Sequence, residues 1–343
     1  MIELTFALVG FGNVGKALVR LLQQKQSALL EQHGLTFKIT GVATGRHGIA
    51  IDPNGFVLKQ LLETDDLGSL SKVKAPASVM EFIRLCPANV LFENSPVNHD
   101  TGQPAIDHLK AALECGMLVI TANKGPVVHG YQELTKLAVE HNSLFLFEST
   151  VLDGAPIFSL FKGSLPLVDL QGFHGILNSC TNLILGRMEN GESLDVAIRY
   201  AQAAGIAETD PSEDVDGWDS AIKTAELVTV LMGFPMTPQM VDRTGIRAVT
   251  PRMIEEAAAA GERWKLVCSA CRSKDAVTAV VHPERVSADS ALYAINGTSS
   301  YVQFGTDMLP GLGIVESDPG PDATAYGLLA DMINGLRQKG RIQ

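Results

Sequence analysis

The segment LVGFGNVG, residues 8–15, decides the fold of the first half of the chain. It follows a buried-strand pattern at residues 3–9 and precedes an amphipathic helical pattern. A strand, a glycine turn and a helix in this order are typical of a dinucleotide-binding site. Gly10 permits the tight turn, Gly12 lets a pyrophosphate approach the backbone, and Gly15 lets helix and strand pack closely. The alternative is a purely structural glycine turn.

Strand and helix patterns alternate through the rest of this half. Further strands are predicted at residues 37–44, 89–95, 117–124 and 143–150, with helices at 102–115 and 130–141 between the last three. Strands that alternate with helices form right-handed crossovers and a parallel sheet. The sequence therefore predicts an α/β fold with a Rossmann-type parallel sheet in an N-terminal dinucleotide-binding domain, residues 1–150.

The pattern changes after about residue 150. Strand-like runs at 167–175, 264–271, 276–282 and 300–304 are mixed with helical patterns at 193–204, 216–232 and 251–259. This mixture predicts a second α+β domain, residues 151–310. Catalysis and dimerisation are the roles that we expect of this domain, for the reasons given below. A last helix is predicted at 321–336, capped by Asp322, in a C-terminal segment, residues 311–343, that returns to the first domain.

Composition excludes several classes of protein. The chain has 343 residues and a net charge of −11, which argues against nucleic-acid binding. We find no apolar run of membrane-spanning length and no export signal, so we expect a cytoplasmic protein that does not bind membranes. The five cysteines are expected to be reduced. Cys268 and Cys271 form a CxxC in an alternating run, and we interpret them as strand neighbours.

Two segments bear on the cofactor and the ligand crevice. After the second predicted strand, Thr44 and Gly45 stand where NAD enzymes place a carboxylate, and Arg46 follows. Arg46 could therefore pair with a 2′-phosphate, which favours NADP over NAD, or it is an exposed loop arginine. TANKGP, residues 121–126, ends the fourth strand, so Lys124 either reaches the crevice or faces solvent.

The acidic run AGIAETDPSEDVDGWDSAIK, residues 204–223, ends on a single lysine. On the predicted helix, Asp219 and Lys223 are four residues apart and share one face. They are either an ordinary surface pair or, in a cleft, a proton relay in which the carboxylate holds the lysine. In the second case Glu208 and Asp214 are available for a cationic group of the substrate.

The same run resembles the signature of the homoserine dehydrogenase family. Its A-x3-G, D-P-x2-D and G-x-D-x3-K elements are matched by Ala201, Gly205, Asp210, Pro211, Asp214, Gly217, Asp219 and Lys223. TANKGP, PVNHDTGQPA (96–105), GILNSCTN (175–182) and GPDATA (320–325) also resemble family segments, in family order. The resemblance implies the NAD(P)-dependent interconversion of L-homoserine and L-aspartate 4-semialdehyde, in threonine and methionine biosynthesis.

The resemblance also implies residue roles. The pyrophosphate would lie on Gly10, Phe11, Gly12, Asn13, Val14 and Gly15, with Gly205 and Gly320 near the nicotinamide. Lys124 would lie between cofactor and substrate, Lys223 would be the acid/base, and Glu208 and Asp219 would bind homoserine. A sodium ion near a glutamate-headed loop is common in the family, and the matching residues here are Glu148, Val151, Asp153 and Ala155.

The sequence departs from the family pattern in places. The usual VGGG of the ion loop is VLDG here, GILNGTTN is GILNSCTN with Ser179 and Cys180, and GPGAG is reduced to SDPGP. These departures change the residues expected around the ion and, slightly, the residues expected along one side of the substrate site. Since the chain stops at Gln343, we expect the short form without a C-terminal regulatory domain.

Two other functions compete with this one. One is a dehydrogenase of related fold that acts on another amino acid, and the other is a non-catalytic NADP-binding sensor. The presence of both Asp219 and Lys223 argues against the sensor, which needs no proton relay. A small-molecule substrate is expected both for a homoserine dehydrogenase and for a related amino-acid dehydrogenase. The second domain has too few helices to cover both faces of a sheet, so we also expect a homodimer with a large apolar interface.

Overall fold

The computed structural model of the protein describes residues 1–274 and 276–342. The first strands and helices in chain order are β1 (Ile2–Val9), α1 (Asn13–His33), β2 (Leu35–Ala43), β3 (Ile49–Ile51), α2 (Leu58–Glu63), α3 (Val79–Leu85), β4 (Val90–Glu93), α4 (Ala105–Glu114), β5 (Leu118–Thr121), α5 (Lys124–Glu140) and β6 (Phe145–Leu146). They are followed by α6 (Phe158–Ser164), β7 (Leu170–Ile176), α7 (Ser179–Glu189), α8 (Leu194–Ala203), α9 (Ser212–Val215), α10 (Trp218–Leu231), β8 (Asp242–Arg243), α11 (Pro251–Ala259), β9 (Glu262–Ser273), β10 (Ala276–Ser287), β11 (Ser300–Thr306), β12 (Leu312–Glu316) and α12 (Pro321–Gln338).

The chain forms two compact units. The first contains Met1–Pro156 together with Gly320–Gln343, and the second contains Ile157–Pro319. Within the described residues, each unit is built on one six-stranded sheet. The α/β class predicted from the sequence, with a Rossmann-type sheet first and an α+β unit second, is confirmed.

The first sheet has the strand order β3-β2-β1-β4-β5-β6. Strands β2, β1, β4, β5 and β6 run parallel, and the short β3 pairs antiparallel with β2. The strand order reverses between β1 and β4, and in such sheets ligands bind beyond the carboxyl ends of the strands at this point. The glycine segment begins where β1 ends, so it lies at this switch point.

Apolar side chains of β1 and α1 form the centre of the first unit. Phe6 and Leu8 of β1 are fully buried, as is Leu18 of α1. The C-terminal helix α12 contributes Leu328 and Met332 to the same core. This packing explains why the last helix of the chain belongs to the first unit.

The second sheet has the order β12-β11-β7-β9-β10-β8 and is antiparallel except for the β10–β8 pair. Along β10, the buried residues Val277, Ala279 and Val281 alternate with more exposed ones. The period of two is that of a strand with one covered face. Cys268 and Cys271 are unpaired thiols on β9, the first buried and the second exposed, so their interpretation as strand neighbours is confirmed.

Three local predictions were wrong. The strand predicted at 143–150 is only Phe145–Leu146, because the backbone then turns into a 3-10 helix, Glu148–Thr150. The strand predicted at 117–124 ends at Thr121, and Lys124 begins α5 instead. Asp322 does not cap α12, since Gly320 occupies the cap position and Asp322 lies in the first turn.

No helix in the described ranges, 1–274 and 276–342, has both the length and the apolar content needed to cross a membrane.

Candidate active site

The glycine loop between β1 and α1 is tightly packed at two of its three glycines. Gly10 has a φ of +89°, and a Cβ there would lie 2.2 Å from the carbonyl oxygen of Asn94. A Cβ on Gly15 would lie 2.8 Å from the carbonyl oxygen of Gly10. A Cβ on Gly12, in contrast, would meet no atom within 4 Å. Packing therefore does not require a glycine at position 12. The close approach of a ligand to the backbone is the physical reason that remains for a glycine there.

The N-terminus of α1 faces this open space. Gly12 is its N-cap, and no side chain caps the helix by a hydrogen bond. Helix N-termini of this kind attract phosphate through backbone N–H groups and the helix dipole. Asn13 is exposed and Val14 is half-buried, whereas Phe11 is buried in the core of the unit. The loop thus fits a dinucleotide pyrophosphate.

A tight turn follows β2, where cofactor preference is decided in this fold. The Thr44 hydroxyl accepts a hydrogen bond from His47 N at 2.8 Å, and Thr44 N donates to Gly48 O at 3.0 Å. Gly45 and Arg46 lie exposed on the turn. No carboxylate occupies positions 44–46, and the guanidinium of Arg46 is accessible to a ligand.

The segment after β5 is held by a side-chain clamp. Asn123 caps α5 by accepting a hydrogen bond from Gly125 N at 3.0 Å, and its amide donates to Ser95 O at 3.1 Å. This links the ends of two neighbouring parallel strands, β4 and β5. Lys124 is half-buried as the first residue of α5, at the carboxyl edge of the sheet.

The loop predicted to hold an ion follows β6. Glu148 is buried and its backbone N–H donates to Asp331 at 2.8 Å. Val151 is buried, Asp153 takes a φ of +37°, and Ala155 N donates to Leu152 O at 2.7 Å, so the backbone turns sharply here. Carboxylate and backbone carbonyl oxygens, as in this loop, are the type of ligand that a hard cation would need. Among the described residues, no group of three His, Cys, Asp or Glu side chains is arranged to hold a metal.

Asn178 is the centre of a polar cluster in the second unit. It caps α7 by accepting from Thr181 N at 2.7 Å. Its Nδ2 donates to Asp214 Oδ1 at 2.6 Å and to Asp219 Oδ2 at 2.9 Å. One amide therefore holds two carboxylates next to each other.

Lys223 completes this cluster, which we call the Asn178 cluster (Asn178, Asp214, Asp219 and Lys223). Its Nζ lies 3.2 Å from Asp219 Oδ2 and donates to Leu177 O at 2.7 Å. Only 15% of the Lys223 side chain and 14% of the Asp219 side chain are exposed. The pair is therefore not the ordinary surface pair that the helical spacing alone would allow.

Electrostatics in the Asn178 cluster favour a cation. Burial, and then the neighbouring Asp219, raise the pKa of Asp214. Burial, and then Asp214, raise the pKa of the Cys180 thiol, which hydrogen-bonds to the Asp214 carboxylate. Two carboxylates beside one lysine can bind an ammonium group. An amine that is fixed by hydrogen bonds can accept a proton and donate it again.

The acidic run divides between this cluster and the surface. Asp214 and Asp219 belong to the cluster, whereas Asp216 pairs with the exposed Arg247. The side chain of Glu208 is exposed and lies outside the hydrogen-bonded cluster, although its carbonyl oxygen accepts from Gln202 Nε2 at 3.3 Å.

Gly205 and Gly320, the two further cofactor candidates, lie at helix ends. Gly205 takes a φ of +72° just after α8, where its N–H bonds to Gln202 O. Gly320 is the N-cap of α12, and a Cβ there would meet no atom within 4 Å. The positive φ at position 205 explains why a glycine stands there. At position 320, neither backbone strain nor packing requires a glycine.

A glycine loop at the switch point of a parallel sheet and a buried lysine–carboxylate pair are features expected of NAD(P)-dependent oxidoreductases that act on CH–OH groups. The family models agree with this. Residues 10–148 match the model described as "Homoserine dehydrogenase, NAD binding domain", and residues 156–333 match the model described as "Homoserine dehydrogenase". The chain belongs to the homoserine dehydrogenase family.

Individual relatives extend over nearly the whole chain. An NAD(+)-dependent homoserine dehydrogenase of Pseudomonas canavaninivorans is 33% identical, covering 97% of this chain and 96% of the relative. A homoserine dehydrogenase of Methanocaldococcus jannaschii is also 33% identical, covering 95% and 97%. A solved mutant of a hyperthermophilic archaeal homoserine dehydrogenase in complex with NADPH superposes with a TM-score of 0.82 at 29% identity, covering 98% of each chain.

Proposed function

We propose that this chain interconverts L-homoserine and L-aspartate 4-semialdehyde and that the Asn178 cluster handles the proton of the reaction. The observation that carries this proposal is the buried contact of 3.2 Å between Lys223 Nζ and Asp219 Oδ2. Oxidation of an alcohol removes a hydride from carbon and a proton from the hydroxyl. A nicotinamide cofactor held by the glycine loop would take up that hydride, or would supply it in the reverse direction.

Lys223 is proposed as the acid/base. In oxidation its neutral amine accepts the hydroxyl proton of homoserine, and in reduction its ammonium donates a proton to the aldehyde oxygen. Asp219 and the carbonyl of Leu177 fix two of the directions in which Nζ can donate. The remaining donor direction is available to the reacting oxygen.

The other carboxylates are proposed to bind the substrate. Asp214 is the second carboxylate that the Asn178 amide holds, and its burial favours an interaction with a cation. We assign it, with Glu208, to the ammonium group of homoserine. Lys124 is proposed to act near substrate and cofactor from the carboxyl edge of the first sheet.

Pyrophosphate binding is proposed for the glycine loop, Gly10–Gly15, with NADP as the preferred cofactor and NAD as the alternative. Support for NADP comes from the missing carboxylate at residues 44–46 and the exposed Arg46. The NAD(+)-dependent relative from Pseudomonas is the argument for the alternative. We also propose a sodium ion at Glu148, Val151, Asp153 and Ala155, where it would stabilise the loop through oxygen ligands.

Arg46→Ala is expected to weaken NADPH binding by about 1–3 kcal/mol and to leave NADH binding nearly unchanged. The reason is the loss of a charge-assisted hydrogen bond that only the 2′-phosphate can accept. Fluorescence titration with both cofactors measures the difference. Arg84→Ala, an exposed arginine of α3, is the control. An equal loss for both cofactors would remove Arg46 from the 2′-phosphate site.

The activity itself is tested by following NADPH oxidation with aspartate semialdehyde and with a panel of other amino-acid aldehydes and ketones. We expect turnover with aspartate semialdehyde to exceed turnover with every other member of the panel. A higher rate with another substrate would favour a different amino-acid dehydrogenase, and no turnover with any of them would favour a sensor.

A homodimer through the open face of the second sheet is proposed as the assembly. Val280, Ser269, His174 and Gln303 form a row of directly paired residues across β10, β9, β7 and β11. All four are only half-buried. Because three of them are polar, the interface is proposed to be less apolar than the sequence led us to expect.

The cytoplasm is proposed as the location of the protein, because its five cysteines are free thiols.

Sedimentation at micromolar concentration is expected to give a single species of twice the 36.6 kDa chain mass. An interface of standard size is about 1,600 Å² in total, and burying it should keep the dimer intact at this concentration. His174→Glu, which adds one carboxylate to this face of each protomer, should shift the species toward the monomer. An active wild-type species at the single-chain mass would contradict the dimer.

A further inference from the structure

Lys265 is a buried cation whose hydrogen-bond partners, among the residues that the structure describes, include no carboxylate. Its side chain is 1% exposed on β9. Its Nζ donates to Asn182 Oδ1 at 2.8 Å and to Ile295 O at 2.5 Å, both neutral acceptors. The nearby Glu189 is held by Arg263, whose Nε lies 2.9 Å from Glu189 Oε1. Burial, and then the charge of Arg263, lower the pKa of Lys265 to about 8.

A buried cation of this kind is unfavourable for stability. Replacing buried charged groups by apolar side chains of similar volume is often neutral or stabilising. A lysine at this position therefore calls for a reason other than filling the core. Its contacts provide one, because both acceptors connect to the segment that carries the Asn178 cluster.

Asn182 ties α7 to the loop before β11. It is 1% exposed and lies one helical turn after Asn178, at the beginning of the same helix. Its Nδ2 donates to the carbonyls of Ile295, Gly297 and Ser299 at 3.4, 3.1 and 3.2 Å. The loop at 295–299 is thus bound to one side chain of α7 at three points.

A second link joins the same two segments. Ser179 Oγ, in the first turn of α7, lies 3.1 Å from Ser300 Oγ at the start of β11. The first turn of α7, directly after Asn178, is therefore fixed at two positions, Ser179 and Asn182. Rotation or sliding of α7 would move the Asn178 amide away from the two carboxylates it bridges, at 2.6 and 2.9 Å.

We propose that Lys265 and Asn182 are positioning residues for the reaction: they hold α7 in the rotation that places the Asn178 amide between Asp214 and Asp219. Neither residue touches substrate in this account, since each is only 1% exposed. The effect on chemistry passes through Asn178 to Asp219 and from Asp219 to Lys223. This inference rests on the proposed function of the Asn178 cluster.

The test is a double-mutant cycle on the full chain, with Lys265→Met and Asn178→Ala measured singly and together. Lys265→Met is expected to lower kcat by at least about 10-fold, since small misplacements of catalytic groups can have effects of up to about 10²-fold. NADPH affinity should stay within about twofold. If Lys265 acts through Asn178, the double variant should be no slower than Asn178→Ala alone.

Leu170→Ala is the matched control for lost stability. Leu170 is buried at the far end of β7, so its truncation leaves a cavity in the same unit. It should lower the melting temperature and leave kcat unchanged. A purely structural role for Lys265 would make its variant resemble this control, with a lower melting temperature and an unchanged kcat, and would overturn the proposal. A loss of kcat in Lys265→Met that multiplies with the loss in Asn178→Ala would overturn it as well.

A second variant covers the case in which Lys265→Met does not fold. Lys265→Met combined with Asn182→Leu removes both members of the Lys265–Asn182 hydrogen bond, so neither of these two side chains keeps an unpaired polar group. A folded double variant with wild-type kcat would overturn the proposal, and a folded variant with low kcat and normal NADPH affinity would support it. Failure of the proposed function is seen separately, because the wild type itself would then not turn over aspartate semialdehyde.

Discussion

Lys223→Met should slow hydride transfer by about 10²–10⁴-fold and leave the dissociation constant of NADPH nearly unchanged. The substitution keeps the length of the side chain but removes the group that gives and takes the proton. Because Lys223 is in the second unit and the glycine loop is in the first, cofactor binding offers a separate readout. Single-turnover kinetics with aspartate semialdehyde and a fluorescence titration with NADPH measure the two quantities.

Lys136→Met is the matched control for this prediction. Lys136 also forms a helical pair with a carboxylate four residues away, Glu140 at 3.8 Å, but 77% of its side chain is exposed. Surface pairs of this kind contribute about 0.3–0.5 kcal/mol. The control should therefore retain wild-type kinetics. A Lys223→Met variant with the same kcat as the wild type would remove Lys223 from the mechanism.

Asp219→Asn should give a smaller loss than Lys223→Met. Asparagine keeps an oxygen for the Asn178 amide but cannot hold the lysine by charge. The order of the two losses identifies which residue moves the proton and which one orients it. A larger loss for Asp219→Asn would reverse these roles.

The strongest local signal in the sequence predicted the glycine loop of the first unit and the strand and helix on either side of it. The glycine spacing from Gly10 to Gly15, between an apolar strand and an amphipathic helix, is a short-range pattern with few structural solutions. Predictions failed where distant contacts decide the backbone. The strand expected at 143–150 is interrupted because Asp331, far along the chain, takes the N–H of Glu148.

The second unit was harder to predict for a related reason. Helix α7 was not predicted, since residues such as Cys180, Asn182 and Leu185 bury several of its sides and leave no clear amphipathic period. The helical spacing of Asp219 and Lys223 was visible in the sequence. The part played by Asn178 was not, because its partners lie 36 and 41 residues away. The only available signal was the family-like segment GILNSCTN.

Gly10→Ala is expected to lower the stability of the fold, whereas Gly12→Ala is expected to weaken cofactor binding. At Gly10 a methyl group would meet the Asn94 carbonyl at 2.2 Å in a backbone conformation with φ +89°. Relief of this contact requires β1 and the loop after β4 to separate. We expect a destabilisation of about 3 kcal/mol or more, and for a unit of this size a fall in melting temperature of roughly 6–12 °C.

Gly12→Ala should leave the melting temperature of the apo protein unchanged, because its methyl group would point into open space at a φ of −80°. It should nevertheless weaken NADPH binding by at least about 10-fold, equivalent to about 1.4 kcal/mol, by keeping the pyrophosphate away from the backbone at the start of α1. Calorimetric melting and fluorescence titration separate the two effects.

Gly34→Ala is the control that separates backbone strain from collision. Gly34 follows α1 with a φ of +62°, and a Cβ there would meet no atom within 4 Å. Its variant should lose only the strain contribution, about 1 kcal/mol, and bind NADPH normally. Wild-type NADPH affinity in Gly12→Ala would mean that the pyrophosphate does not lie against this loop. The open space at Gly12, between the tightly packed Gly10 and Gly15, would then not be explained by a bound pyrophosphate.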